Sequence, residues 1–218
     1  MHNSDKEKQS TYGILYVVAT PIGNFNDISR RAVEILSKVN LIASEDTRHS
    51  KKLLTHFNIK VRQISYHKHN EQKISNILIN NLIGGKNIAL ISDAGSPAIS
   101  DPGDILIKKA RQKGIHVSPI PGACSITSAL SASGYGSENF QFIGFLPKSD
   151  AEIVCLLKHG VGESSNSNYF LSLGNGFLHL TGNGTNVFDF GLNQNYKNQL
   201  GEIKHSCKVF VEIVFFFF

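Results

Sequence analysis

Residues 87–103 read NIALISDAGSPAISDPG. Ile88 to Ile91 is an unbroken apolar run, which suits a strand buried on both faces of a parallel sheet. The run ends in a loop, residues 92–103, that holds two Asp, two Gly and two Pro. A strand-to-helix connection usually needs about 2–6 residues. This one is longer, and its glycines and prolines bend or stiffen most of it. A long, stiff loop at the end of a buried strand is shaped to hold something.

The same alternation extends in both directions. ILYVVA (14–19) is a second continuous apolar run, rich in β-branched residues. After a Thr-Pro-Ile-Gly-Asn turn, Asp27 is the expected cap of a helix built on Ile28, Ala32, Ile35, Leu36 and Val39. Strands are expected at 41–44, 61–67 and 115–120, and helices at 50–57, 71–83, 104–113 and 124–133. Alternating strands and helices are the signature of βαβ units, so the fold class is α/β with a mostly parallel sheet. Right-handed crossovers put the loops after the strands along one edge. Ligands bind at that edge in open α/β sheets.

The chain has 218 residues, 41% hydrophobic and 18% charged, with a formal net charge of +5. This composition suits a soluble globular protein, and the basic balance is compatible with a polyanionic partner such as RNA. Cys124, Cys155 and Cys207 lack Cys-x-x-Cys spacing, so neither a zinc site nor a disulfide framework is expected. A reducing, cytoplasmic setting follows. MHNSDKEKQS (1–10) has no apolar core of a signal peptide, and residues 1–11 read as a disordered tail. VFFFF (214–218) is too short to span a membrane.

Three Gly/Pro loops follow three expected strands: ATPIGN (19–24), SDAGSPAISDPG (92–103) and PIPGACS (119–125). Together they make a cradle rich in backbone N–H and C=O groups. Neither the Gly-x-Gly-x-x-Gly fingerprint nor a P-loop is present, which disfavours the usual pyrophosphate sites. ASEDTRHS (43–50) ends the second strand in polar residues. It reads either as a helix start, capped by Asp46 or Thr47 with an exposed Glu45–Arg48 pair, or as a polar cluster beside a ligand. YHKHNE (66–71) has the same ambiguity. His67 and His69 alternate as strand neighbours would, no third metal ligand is evident, and Asn70 is a candidate cap.

Six segments carry a resemblance. LYVVATPIGNFNDISRRAVEIL, LIASEDTRHS, HNEQ, ALISDAGSPAISDPG, PIPGACSITSALSASGY and FIGFLP occur in one order over about residues 12–148. The sequence resembles the tetrapyrrole methylase superfamily of S-adenosylmethionine enzymes. More narrowly it resembles the bacterial branch that methylates a cytidine 2′-oxygen in 16S rRNA. The resemblance implies two α/β domains, with the cofactor in the cleft between them. Asp93, Gly95, Ser96 and Pro97 then lie at the cofactor, with Gly122, Ala123 and Ser125 from the third loop. Pro21, Gly23 and Asn24 line the cleft from the first. Glu45, Asp46 and His67 are candidate bases, and Arg48, His49 and Lys68 candidate RNA contacts. No metal is required. The implied partner is the small ribosomal subunit, and a homodimer is implied too.

The character changes near residue 150. The rest is rich in Asn, Gly and Phe and shows no convincing amphipathic helix. A hairpin is expected around Gly174-Asn175-Gly176. The Tyr-Glu-Ser-x-His-Arg and Arg-Glu-Leu-Thr-Lys motifs of the family's second domain are not visible. Residues 149–218 are therefore expected to be a divergent, truncated or frame-shifted region that leaves the second domain atypical or incomplete. Two other functional readings stand beside the first. One is an S-adenosylmethionine enzyme with a tetrapyrrole or protein acceptor. The other is an inactive or merely RNA-binding product.

Overall fold

The computed structural model describes residues 12–133, 140–145, 168–172, 176–181 and 210–215. The chain divides into two compact units, Met1–Cys124 and Ser125–Phe218. The expected tail at 1–11 lies outside the described residues.

The first unit is built on five parallel strands: β1 (Leu15–Val18), β2 (Leu41–Ser44), β3 (Gln63–Ser65), β4 (Ile88–Ile91) and β5 (Val117–Ile120). Their order across the sheet is β3-β2-β4-β1-β5. Tyr16 lies opposite both Ala89 and Ser118, and Leu90 opposite both Val17 and Ala43. All four residues of β4 are buried, as its apolar run requires of a central strand.

Four helices link the strands: α1 (Arg30–Lys38), α2 (Thr47–His56), α3 (Glu71–Ile83) and α4 (Asp104–Gln112). Ala32 and Leu36 of α1 and Leu54 of α2 pack with Val18, Ile42, Ala89 and Ile91 on one face of the sheet. Leu78 and Leu82 of α3 and Leu106 and Ala110 of α4 pack with Leu15, Ala43, Ile88 and Leu90 on the other. Successive strand residues point to opposite faces, so each apolar strand feeds both cores. The path after β4 leaves toward α4, while the paths after its neighbours β1 and β2 leave toward α1 and α2. The loop after β4 thus sits at a topological switch point, where the sheet edge opens into a crevice.

Several local expectations are corrected. Asp27 does not cap α1. It closes a short 3-10 turn, Phe25–Asp27, capped by Asn24, and Ser29 Oγ accepts the Ala32 N–H at the start of α1. The second helix starts at Thr47 rather than 50, with Asp46 as its cap. β3 stops at Ser65, so His67 and His69 stand in a turn and not on a strand. Asn70 occupies the cap position of α3 but makes no cap bond, because its side chain is committed to His67 and Ser65.

The second unit holds α5 (Ser125–Ser133) and four strands: β6 (Phe140–Phe145), β7 (Asn168–Ser172), β8 (Gly176–Thr181) and β9 (Phe210–Phe215). β6 runs parallel to β7, with a register shift between Phe142 and Gly144. β8 runs antiparallel to both β7 and β9. β7 and β8 form the expected hairpin; its tip, residues 173–175, lies outside the described residues.

Candidate functional site

The three loops meet in the first unit at the carboxyl edge of the sheet. Thr20 and Gly95 form an antiparallel bridge, with Thr20 N–H donating to Gly95 O at 2.9 Å and Gly95 N–H to Thr20 O at 3.1 Å. The buried Thr20 hydroxyl lies 3.2 Å from Ser92 O and 3.4 Å from Gly95 O. Ser92 Oγ donates to Gly95 O at 3.2 Å. Gly95 takes φ +77°, which a side chain adopts only with strain, and a Cβ there would meet Ile22 Cγ2 at 3.4 Å. The third loop is equally close. A Cβ on Gly122 would lie 3.0 Å from that of Ala19. Ala19 N–H donates to Ile120 O at 3.2 Å. Ala98 sits at φ +63°, a sparsely populated conformation for a residue with a side chain. The cradle is therefore stitched together by main chain, and part of it is strained.

Carboxylates stand beside it. Glu45 follows β2 directly and is half-buried. Burial, then Asp101 and Asp93, push its carboxyl from an ordinary 4.5 up to about 7, against the opposing pull of the Asp93 N–H. Asp101 is raised too, mainly by burial, with Ser92 as its hydrogen-bond partner. Asp93 Oδ1 accepts the Asp46 N–H at 3.1 Å, tying the loop after β4 to the start of α2. Asp46 behaves oppositely. Hydrogen bonds from the Arg48 side chain and backbone hold its carboxyl down at about 2. Arg48 pairs with Asp46 at 3.0 Å, not with Glu45 as the spacing suggested.

His67 lies two residues past the end of β3, in a turn held by Asn70. Asn70 Oδ1 accepts the His67 N–H at 2.9 Å, and Asn70 Nδ2 donates to Ser65 O at 3.0 Å. The same Nδ2 lies 3.3 Å from His67 Nε2, so Nε2 is the accepting nitrogen. His67 Nδ1 is buried and has no hydrogen-bond partner among the described residues. His67 and His69 rings lie 5.9 Å apart, edge to face. Among the described residues no three His, Cys, Asp or Glu side chains are grouped to hold a metal ion.

This geometry has relatives. The family model for tetrapyrrole (corrin/porphyrin) methylases matches residues 14–152. The chain belongs to that family. Within it, the methylase-family chain is 54% identical over 146 residues to the ribosomal RNA small subunit methyltransferase I of Vibrio cholerae, covering 66% of this chain and 51% of that protein. The namesake from Haemophilus influenzae is 57% identical over 135 residues, covering 62% and 48%. The chain thus spans about half the length of the curated relatives it matches. Among solved structures, a diphthine synthase shares the fold at TM-score 0.57 and 17% identity, covering 74% of this chain and 65% of that one.

In this methylase-family chain the residues singled out from sequence fall in different places. Gly95, Gly122 and Ala123 converge; a Cβ on Gly95 would come within 4.0 Å of Ala123 O. Pro21 and Pro97 are buried in the loop bases, and Ser96 is half-buried. Gly23 and Asn24 are exposed at the outer end of the first loop. Ser125 opens α5 in the second unit. Arg48, His49 and Lys68 are exposed. Three further residues complete the cradle: Thr20, Ser92 and Asp101. All stand in the quoted loops, but only the fold reveals that they bond to one another. Thr20→Val keeps the shape and removes the hydroxyl that bonds Ser92 O and Gly95 O. We expect a loss of about 1–2 kcal/mol in chemical denaturation, as for a buried hydrogen bond. Ligand affinity at the cradle should fall with it.

Proposed function

We propose that this chain carries the cofactor-binding half of an S-adenosylmethionine-dependent methyltransferase that acts on small-subunit ribosomal RNA, with a cytidine ribose 2′-hydroxyl as acceptor. The observation that carries the reading is the half-buried Glu45–Asp93–Asp101 group beside a main-chain cradle at the switch point. Carboxylates there repel a pyrophosphate and suit a cationic sulfonium, so the residues present fit this cofactor. The two relatives named above bear the name of a ribosomal RNA small-subunit methyltransferase, which supports the RNA acceptor.

Asp93, Gly95, Ser96 and Pro97, with Gly122, Ala123 and Ser125 and with Pro21, Gly23 and Asn24, would hold the cofactor. When bound, S-adenosylmethionine supplies a methyl group already activated by its sulfonium. The chain's share is then to orient an acceptor hydroxyl and to take its proton. Glu45 suits that role best of the three candidates. Its carboxyl titrates near 7, which makes it an effective acceptor at neutral pH. Asp46 is held near 2 by Arg48, which leaves it a weak base. His67 has its accepting nitrogen on Asn70 and its other nitrogen buried. Arg48, His49 and Lys68 would meet phosphates. The setting of such chemistry is the cytoplasm, where ribosomes assemble.

Calorimetry of S-adenosylmethionine with the purified, folded chain is the first test, and saturable one-to-one binding is expected. Small ribosomal subunits lacking the modification should then take up label from a methyl-tritiated cofactor. The label should protect one cytidine from alkaline cleavage, because a methylated 2′-oxygen cannot attack the adjacent phosphate. A folded chain that binds no cofactor overturns the proposal. Binding without methyl transfer favours a cofactor-binding product that does not turn over, a reading supported by a family match that stops at residue 152. Label entering a porphyrinoid or a protein instead would move the acceptor. Sedimentation of the same sample tests the homodimer.

A further inference from the structure

We infer that the outer face of α2, together with Phe25, is a docking surface for a short single-stranded segment of RNA. The inference rests on the proposed function and names where its substrate is held. Helix α2 buries Ser50, Leu53 and Leu54. Its exposed side carries Arg48, His49, Lys51, Lys52 and His56, and no acidic residue occurs from Thr47 to His56. Positions four apart share a face, so Arg48, Lys52 and His56 form one stripe. The stripe is about 12 Å long at ~1.5 Å per residue. Arg48 is tied to Asp46, but its side chain is 92% exposed, and such surface pairs are weak enough to exchange for a phosphate.

The far end of the stripe is aromatic. Phe25 is 37% exposed, and its ring lies 5.1 Å from His56, which in turn meets Phe57 at 4.7 Å, edge to face. A single exposed Phe is ordinary on a protein surface. Here three rings in series end a row of cations, and Phe25 adjoins Gly23 and Asn24 of the first loop of the cradle. Cations along one strand with aromatic rings at its end are how single-stranded nucleic acid is gripped: phosphates meet the charges and unstacked bases lie on the rings. A duplex keeps its bases stacked inside and has no use for the rings. A protein partner of acidic character would use the cations and not the aromatic end.

The test uses the full chain and a fluorescent single-stranded RNA decamer, read by anisotropy, with a double-stranded RNA of equal length as control. We expect the single strand to bind more tightly than the duplex, with affinity falling as salt rises. Phe25→Ala and His56→Ala should each weaken binding about tenfold, in line with stacking losses at other single-strand sites. Phe25→Tyr should restore it, since it keeps the ring. Lys52→Glu should weaken binding and flatten the salt dependence. Melting temperature and S-adenosylmethionine binding, followed on the same variants, separate loss of the surface from loss of the fold or of the cofactor site. Wild-type affinity in both alanine variants overturns the inference even where RNA binding and cofactor binding survive. Duplex preference, or no RNA binding by a chain that binds the cofactor, also overturns it. A chain that binds no cofactor points to failure of the underlying functional reading.

Discussion

Replacing Glu45 with Gln should lower methyl transfer by about a hundredfold or more at pH 8, the scale on which a positioned general base acts. The wild-type rate should climb with pH through about 7 and level off above it, because only the ionised carboxylate accepts a proton. The Glu45→Gln profile should lack that rise. The same substitution should make the protein more stable. The carboxyl titrates near 7 in the folded chain and near its ordinary 4.5 in the unfolded one. Between these values the folded state keeps a proton that the unfolded state has released. Stability is thus lost as pH rises from about 4.5 through about 7, and the loss persists above. The glutamine, which never ionises beside Asp101 and Asp93, escapes it. Glu45 is only half-buried, so solvent screening reduces the effect, and we expect a gain of about 1 kcal/mol at pH 8. That is a rise of about 3 °C in melting temperature for a chain of this size, with none at pH 4. A charge kept at a cost in stability is what the proposed role of Glu45 as a base requires. An unchanged rate in Glu45→Gln would remove Glu45 from the reaction, whatever the melting curve shows.

Gly13→Ala should destabilise the first unit by about 3 kcal/mol or more, the range reserved for backbone clashes and ruined cores. Gly13 is buried at the entry to β1, and its N–H donates to Leu82 O at 2.8 Å near the end of α3. A Cβ at this position would stand 2.0 Å from the Lys86 carbonyl oxygen and 2.4 Å from its carbon. No rotamer relieves an overlap with backbone, so the chain entering β1 must move away from the turn that leads into β4. β1 and β4 are neighbours in the sheet, and the bridge between Thr20 and Gly95 joins the loops at their far ends. The shift should reach the cradle as weaker cofactor binding, besides lowering the melting temperature by about 10 °C. Thermal unfolding by circular dichroism checks the first effect and calorimetry the second. A melting temperature within about 2 °C of the wild type would mean that this turn yields freely.

Much of the fold was legible because its signals are local. An unbroken apolar run such as Ile88–Ile91 fits only where both faces of a strand are covered. The spacing of Ala32 and Leu36, or of Leu78 and Leu82, puts each pair on one side of a helix. Helix starts were less legible, since several polar residues compete to cap them. Asp27 was the expected cap, yet the chain makes a 3-10 turn first and Ser29 takes the position. Spacing alone also chose the wrong partner for Arg48. Asp46 caps α2 and reaches Arg48 from there, while Glu45 lies among Asp93 and Asp101 of the loop after β4.

The sequence by itself determined that this is an alternating α/β chain, that three Gly/Pro loops follow its strands, and that its motifs are those of the methylase family as far as about residue 148. The tertiary structure alone decided the order β3-β2-β4-β1-β5, and with it which loops touch. It also decided which carboxylate holds a proton near neutral pH. Strand order depends on pairing between residues far apart in sequence. The ionisation of Glu45 depends on burial and on charges from a distant loop. Neither quantity is carried by any short stretch of residues, because both arise only when the sheet brings β2 and β4 side by side.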